Sequence, residues 1–488
     1  PGKLADDYRE KFVSKYDEDR VVLDELNNKT FLDITKHSDP VDNINTENIT
    51  QRRLVDAKEI IQEWFDQQQK ELRDEDGNVD KYYTYLRNFG KIIENGLEIT
   101  TYKIEDETEA GRLFEVVNDR GKDLTSLDKI KSYLVYCTAR IEDKDLSVEV
   151  YRQMGSVVRN LTEKGGGDDA IETFVRYHWM LFTGELVLAR QSDSEYTEVH
   201  RRIKNLEKHA ALSQKPESVK QWIRYYLSSA VSCSEAFEKI RNPTEIESDN
   251  KYTDEIIDRL DGLSRLPVTN NFLPLLMATY HRFGISEEFR NIATLCEKLS
   301  FRVYNLAGRR TDAGRAALQR HGYWIEWAGM GDEAKEIFNN DEKGLKFTSK
   351  EEAIPEAAQR LESEIGENAP DTYFADCLMR DDIIEGSDRN DGWRGVRNND
   401  SVRYLLYRYE KHLRDSGSSS SISQIPPFSQ WKNEGITIEH IYPQNPEKID
   451  NNLADVINKL GNLVLLGPED NSIASNADYE KKIRRGVF

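Results

Sequence analysis

The 488-residue sequence predicts a mainly α protein: a small α/β unit near the start, a helical middle domain, and a helical last domain that closes on two short strands and a helix. Three observations carry this. Apolar residues recur at helical spacing through most of the chain, as in Ile60, Ile61, Trp64 and Phe65, in Ile171, Phe174, His178 and Leu181, and in Leu273, Leu276 and Tyr280. Strand-like alternation appears at residues 97–104, behind the Asn95 and Gly96 turn signal, and at 436–442, where it stops at Pro443. Clusters of Gly, Ser, Asp and Asn at 164–167, 191–194, 381–400 and 415–422 mark connections. The expected units are residues 1–144, 145–369 and 370–488.

Taken in order, residues 1 to about 55 read as short apolar patches between turns, with 39–46 the clearest loop. An amphipathic helix follows from Asp56, and a second carries Tyr82, Tyr85, Leu86 and Phe89. A helix through Phe114 and Val117 ends near Asn118, Gly121 permits a tight reversal, and Thr125 with Asp128 forms a capping box for the next helix. Helical spacing then runs from 145 to 369. Residues 402–413 form a strongly amphipathic helix, and a flexible 415–422 connection tethers the closing segment with freedom to reorient.

Composition restricts the function. Hydrophobic residues make up 38% and charged residues 32%; no apolar run is long enough to cross a bilayer, and no basic-then-apolar leader opens the chain, so a cytoplasmic protein is expected. Cys137, Cys233, Cys296 and Cys377 are widely separated and read as reduced thiols; without cysteines near the closing segment, a zinc-structured module is not expected there. The net charge of −21 opposes a nucleic-acid partner at first sight, because such binding depends on neutralising phosphates. From Asp371 onward, however, 15 basic residues face 19 acidic ones, a balance of −4, so the preceding part carries −17. Basic groups concentrate at Lys481, Lys482, Arg484 and Arg485, and again at Arg309, Arg310, Arg315 and Arg320. Each set could face a phosphate backbone or simply solvent.

Residues 435–485 read as chemistry. The alternating run delivers Glu439 and His440 and stops at Pro443 and Gln444; a loop with a short helix at 453–459 leads to a second strand through Asn462 and Leu466; Asn471 precedes a closing helix over 472–482. This is the order of a ββα-metal finger, which holds one hard divalent cation between hairpin and helix by oxygen donors.

These residues resemble the HNH endonucleases in their His-Asn-Asn form, with Asn462 and Asn471 nine residues apart. The resemblance implies that His440 deprotonates the attacking water, that Asn462 bridges the loop and orients the imidazole, and that Glu439 and Asn471 hold Mg²⁺ or Mn²⁺. Lys481 and Lys482, with Arg484 and Arg485, would contact phosphate.

Phe114, Glu115, Asn118, Arg120, Gly121, Leu124, Asp128 and Lys131 resemble a motif of the GmrSD-type restriction endonucleases. In that family a ParB-like module that binds and hydrolyses a nucleotide, a helical middle region and an HNH module follow one another; residues 1–144 would be a partial ParB-like unit. Asn118, Arg120 and Lys131 would then be nucleotide contacts, although the family's Asp-Gly-Gln-Gln-Arg motif has no counterpart here, which puts nucleotide binding in doubt. The activity implied is metal-dependent DNA cleavage in a prokaryotic anti-phage restriction system acting on modified or foreign double-stranded DNA, with a second copy or a restriction subunit as further partners and no membrane. A non-catalytic subunit that recognises modified DNA or a partner protein is the alternative.

Overall fold

The computed structural model describes residues 14–15, 18–19, 27–36, 44, 46, 49–73, 79–97, 124–162, 166–184, 216–266, 268–330, 346–379, 400–417, 428, 435–443, 453, 456–457, 459–467 and 479–484. Among these it is mainly helical. A minimal antiparallel hairpin, β1 (Ser14–Lys15) and β2 (Glu18–Asp19), precedes α1 (Asn28–Lys36), α2 (Ile49–Glu71) and α3 (Asp80–Gly96). The expected strand at 97–104 and the helix through Phe114 and Val117 lie outside the described residues, apart from Leu97, which is extended.

The helices α2 and α3 meet through aromatic rings. Phe65 stands edge-on to Phe89 at 5.6 Å, and Tyr85 stacks on Phe89 at 6.4 Å. Lys58 ties this pair to α1 by donating to the Ile34 carbonyl at 2.7 Å. The reading from Asp56 thus begins one to two turns late: α2 starts at Ile49, and its first turns bury Gln51 and Val55.

The helical body comprises α4 (Ser126–Arg140), α5 (Lys144–Thr162), α6 (Gly167–Thr183), α7 (Pro216–Arg241), α8 (Thr253–Ser264), α9 (Leu273–Phe283), α10 (Glu287–Leu299), α11 (Arg315–Trp327) and α12 (Lys350–Asn368). Thr125 caps α4: its hydroxyl accepts from the Asp128 N–H at 3.2 Å, and the Asp128 carboxylate accepts from the Thr125 N–H. One continuous core joins all nine helices, from Leu127 to Ile365, with Phe174, Phe182, Tyr226, Phe237, Phe272 and Phe289 fully buried. Complete burial of such side chains contributes about 1.5–3 kcal/mol each, which explains why the apolar spacing of the sequence is most regular here. After α10 the backbone widens into a π-helical turn, Ser300–Leu306, which brings Phe301 out towards the C-terminal region.

Downstream, α13 (Asp371–Met379) and α14 (Asp400–Asp415) lead to β3 (Thr437–His440) and β4 (Leu463–Leu466), and α15 (Tyr479–Arg484) follows. The strands are antiparallel, pairing Glu439 with Val464 and His440 with Leu463. The hairpin does not hang free. Ile436, Ile438, Leu463 and Leu465 share a core with Val402, Tyr404, Leu406 and Tyr407 of α14, and with Leu266 and Phe301 of the body. The hairpin thus packs on α14 and the body; of the connection expected at 415–422, residues 418–422 lie outside the described residues.

Candidate active site at the C-terminal hairpin

The strand β3 ends at His440 because the next residues are held in a bend. Asn462, buried and placed where β4 begins, reaches across with its side chain: its Oδ1 accepts from Tyr442 N–H at 2.7 Å, while its Nδ2 donates to the carbonyls of Tyr442 at 2.9 Å and Ile457 at 2.8 Å. Its main-chain oxygen accepts from Ile441 N–H at 2.8 Å. One side chain thus joins the end of β3 to the turn before β4. Losing it would strand three main-chain groups, at about 1–3 kcal/mol for each one buried without a partner. The short helix expected at 453–459 lies partly outside the described residues; where described, the segment makes 3-10-type bonds: Val456 N–H bonds Leu453 O, Lys459 N–H bonds Val456 O, and Asn462 N–H bonds Lys459 O.

Glu439 and His440 are half-buried at the end of β3. Lys482, expected to face a phosphate, lies inside: it is 1% exposed, and its Nζ donates to the His440 carbonyl at 2.6 Å. Burial pushes its pKa below the usual lysine value, and the Glu439 carboxylate pulls the other way. Lys481 and Arg484 are exposed, Arg484 lying 3.7 Å from Glu480. Asn471 and Arg485 lie outside the described residues, as do Asn118 and Arg120. Lys131 is half-buried on α4, 3.9 Å from Asp128.

A carboxylate and an imidazole on adjacent residues, with a buried amide bracing the chain just after them, offer an oxygen donor for a hard cation and a ring nitrogen able to accept a proton. The oxygen chemistry of Glu439 fits Mg²⁺ or Mn²⁺.

Two features escaped the sequence reading. The first is a buried charge network that fastens α14 to the body. Arg408 engages the carboxylates of Asp258 and Glu297 and donates to Asp258 O at 3.1 Å; Lys411 lies 2.9 Å from Asp258, and Arg259 lies 3.2 Å from Glu297. Burial pushes the Arg408 pKa down to about 10, against the pull of Asp258. Arg403 adds a bond to the Ile436 carbonyl at 2.9 Å, so α14 also grips the start of the hairpin.

The second is a polar cluster in the body. Cys233, His281 and Glu326 bring donor atoms within 4.8 Å of one another, the group among the described residues that could share an ion. Hydrogen bonds already link this group, with Cys233 Sγ 3.8 Å from Ser229 Oγ. His281 Nδ1 lies 3.0 Å from Glu326, Ser229 donates to Glu326 at 2.8 Å, and the fully buried His178 lies 3.1 Å from Ser229. Burial opposes charge on His281, yet the Glu326 carboxylate keeps its pKa above the usual value. The cluster joins α6, α7, α9 and α11 through these hydrogen bonds, while His178 Nδ1 stays buried without a partner. Two members of the Arg309 group are already paired: Arg309 engages the buried Glu364, as Arg360 does, and Arg310 pairs with Asp312 at 2.9 Å.

Two family models match the chain. Residues 4–135 match the N-terminal domain of the GmrSD restriction endonuclease, and residues 379–486 match the C-terminal domain of the GmrSD restriction endonucleases. No curated protein matches it. No helix among the described residues is long and apolar enough to cross a membrane.

Proposed function

The chain belongs to the GmrSD restriction endonuclease family, and on that premise we propose that it is a metal-dependent, HNH-type DNA endonuclease of a restriction system, cutting modified or foreign double-stranded DNA at its C-terminal hairpin. The family domains support a nuclease acting on DNA. The observation that carries the assignment to this site is the Asn462 brace behind Glu439 and His440, inside the matched C-terminal domain.

Glu439, together with Asn471, would hold a Mg²⁺ or Mn²⁺ ion, which when bound polarises the phosphate and stabilises the leaving oxygen. His440 takes the proton of the attacking water, a task suited to a group that titrates near working pH. Asn462 fixes the backbone that follows the base. The exposed Lys481 and Arg484, with Arg485 next in the sequence, would neutralise DNA phosphates, a contribution that weakens as salt rises. The acidic remainder of the chain leaves this local cationic helix as the natural point of contact. A nucleotide site at Asn118, Arg120 and Lys131 is carried by the family motif alone.

Calorimetric titration with Mn²⁺ tests the reading. Wild type should bind the ion and Glu439→Ala should lose that binding. Absence of ion binding, with DNA or a partner protein still bound, would favour the non-catalytic recognition subunit.

A further inference from the structure

One peptide plane fixes the geometry at the end of β3. The Ile441 N–H donates towards β4, to Asn462 O at 2.8 Å. A trans peptide is planar, and its N–H and C=O point in opposite directions; the described residues contain no cis bond. The His440 carbonyl, in that same peptide, must therefore point away from β4, off the outer edge of a two-stranded sheet. An edge carbonyl ordinarily meets water or another strand. Here Lys482 Nζ meets it at 2.6 Å.

A lysine on a short, charged helix would normally extend its head into solvent. Lys481 and Arg484, on the same helix, are exposed. Lys482 is 1% exposed instead, and burying an ammonium is costly unless its donors are taken up. Its partners are the backbone oxygen of the proposed base and, through space, the carboxylate of the proposed metal ligand.

We infer that Lys482 is a positioning residue for the cleavage reaction: it fixes the 440–441 peptide from the outer edge while Asn462 fixes it from the inner edge, and so sets the direction in which the His440 imidazole leaves the strand. The inference builds on the nuclease reading above. It also takes Lys482 out of the set of phosphate contacts. The ammonium further locks α15 to the hairpin, so that the cationic surface of that helix and the base move as one body.

The test uses the full chain, supercoiled plasmid and Mg²⁺, and compares wild type, Lys482→Met, Lys482→Arg, His440→Ala and the Lys482→Met/His440→Ala double variant. Methionine keeps the buried stem and removes the donor; arginine keeps a donor. Because a displacement of about 1 Å in a reacting group can cost about 10²-fold in rate, Lys482→Met should lower kcat by about that factor. Its KM for DNA and the salt dependence of binding should stay unchanged, arginine should restore part of kcat, and the double variant should match His440→Ala alone. Hydrogen exchange in the peptide covering 437–442 should accelerate in Lys482→Met without a change across the helical body. A rise in KM with kcat intact and a shallower salt dependence would make Lys482 a phosphate contact and overturn the inference. So would unchanged exchange at 437–442. If wild type does not nick, or His440→Ala nicks as well as wild type, the nuclease reading fails by itself; the exchange measurement, which needs no cleavage, still decides whether Lys482 holds the strand end.

Discussion

Replacing Arg408 with methionine is expected to undo the joint between the C-terminal hairpin and the helical body. Arg408 bridges Asp258 on α8 and Glu297 on α10, two buried carboxylates that no shorter side chain on α14 could span. Its removal leaves Glu297, 1% exposed, with Arg259 at 3.2 Å, and leaves Asp258 with Lys411 at 2.9 Å and the Tyr407 hydroxyl. Removing one partner of a buried ion pair costs about 3–5 kcal/mol, because a charge is left uncompensated. The surviving partners place Arg408→Met at the lower end, about 3 kcal/mol. Denaturant unfolding, followed both by overall helicity and by hydrogen exchange in residues 436–442, measures it. The loss should be relieved in part when Glu297→Gln and Asp258→Asn are added, since neutral amides tolerate burial better than unpaired carboxylates. A change within about 0.5 kcal/mol of wild type, the range of an ordinary surface substitution, or a triple variant no more stable than the single one, would refute the reasoning.

Gly262 packs against the same joint: a Cβ there would press into Glu297 Oε1 and Arg408 Nη2 and meet Tyr404 at 3.3 Å. Gly262→Ala should therefore destabilise by about 1–3 kcal/mol, and in combination with Arg408→Met the losses should fall short of their sum, as measured by denaturant unfolding. Acid should weaken the body through His178, which burial holds neutral by lowering its pKa from 6.5 to about 4. The unfolded chain takes up that proton below about pH 6.5 and the folded one only near pH 4, so stability falls as pH drops through this window, by up to about 3 kcal/mol. His178→Phe should flatten that part of the pH–stability curve. Asn462→Ala should reduce nicking and destabilise by about 3 kcal/mol or more, whereas Asn462→Asp, which keeps only the acceptor to Tyr442 N–H, should recover little of either.

The helical body was legible because burial imposes a period: Phe174, His178 and Leu181 fall on one face, and all three are buried. The hairpin was legible because Ile436 and Ile438 alternate with polar neighbours, Pro443 closes that strand, and an apolar run follows at Leu463–Leu466. What the sequence did not reveal depends on partners far apart in the chain. Asp258, Glu297 and Arg408 look like solvated helix charges until three helices converge. Lys482 looks like its neighbour Lys481, since a run of cations gives no sign of which one turns inward. The first helix, α1, was missed because turn-forming residues at 39–46 dominate the local pattern, while its anchor, Lys58, lies 24 residues beyond Ile34. The helical composition of 453–459 shows, where the segment is described, as 3-10-type turns, and Asn462 takes the Ile457 carbonyl onto its own side chain.

Conversion of supercoiled plasmid to open circles in the presence of Mg²⁺, by wild type and by His440→Ala at equal concentration, tests most directly whether the end of β3 is the seat of phosphodiester hydrolysis. Wild type should nick, and the variant should be slower by about 10²–10⁴-fold, the contribution of a general base. Equal rates for the two proteins would contradict the assignment of the base and, with it, of the active site.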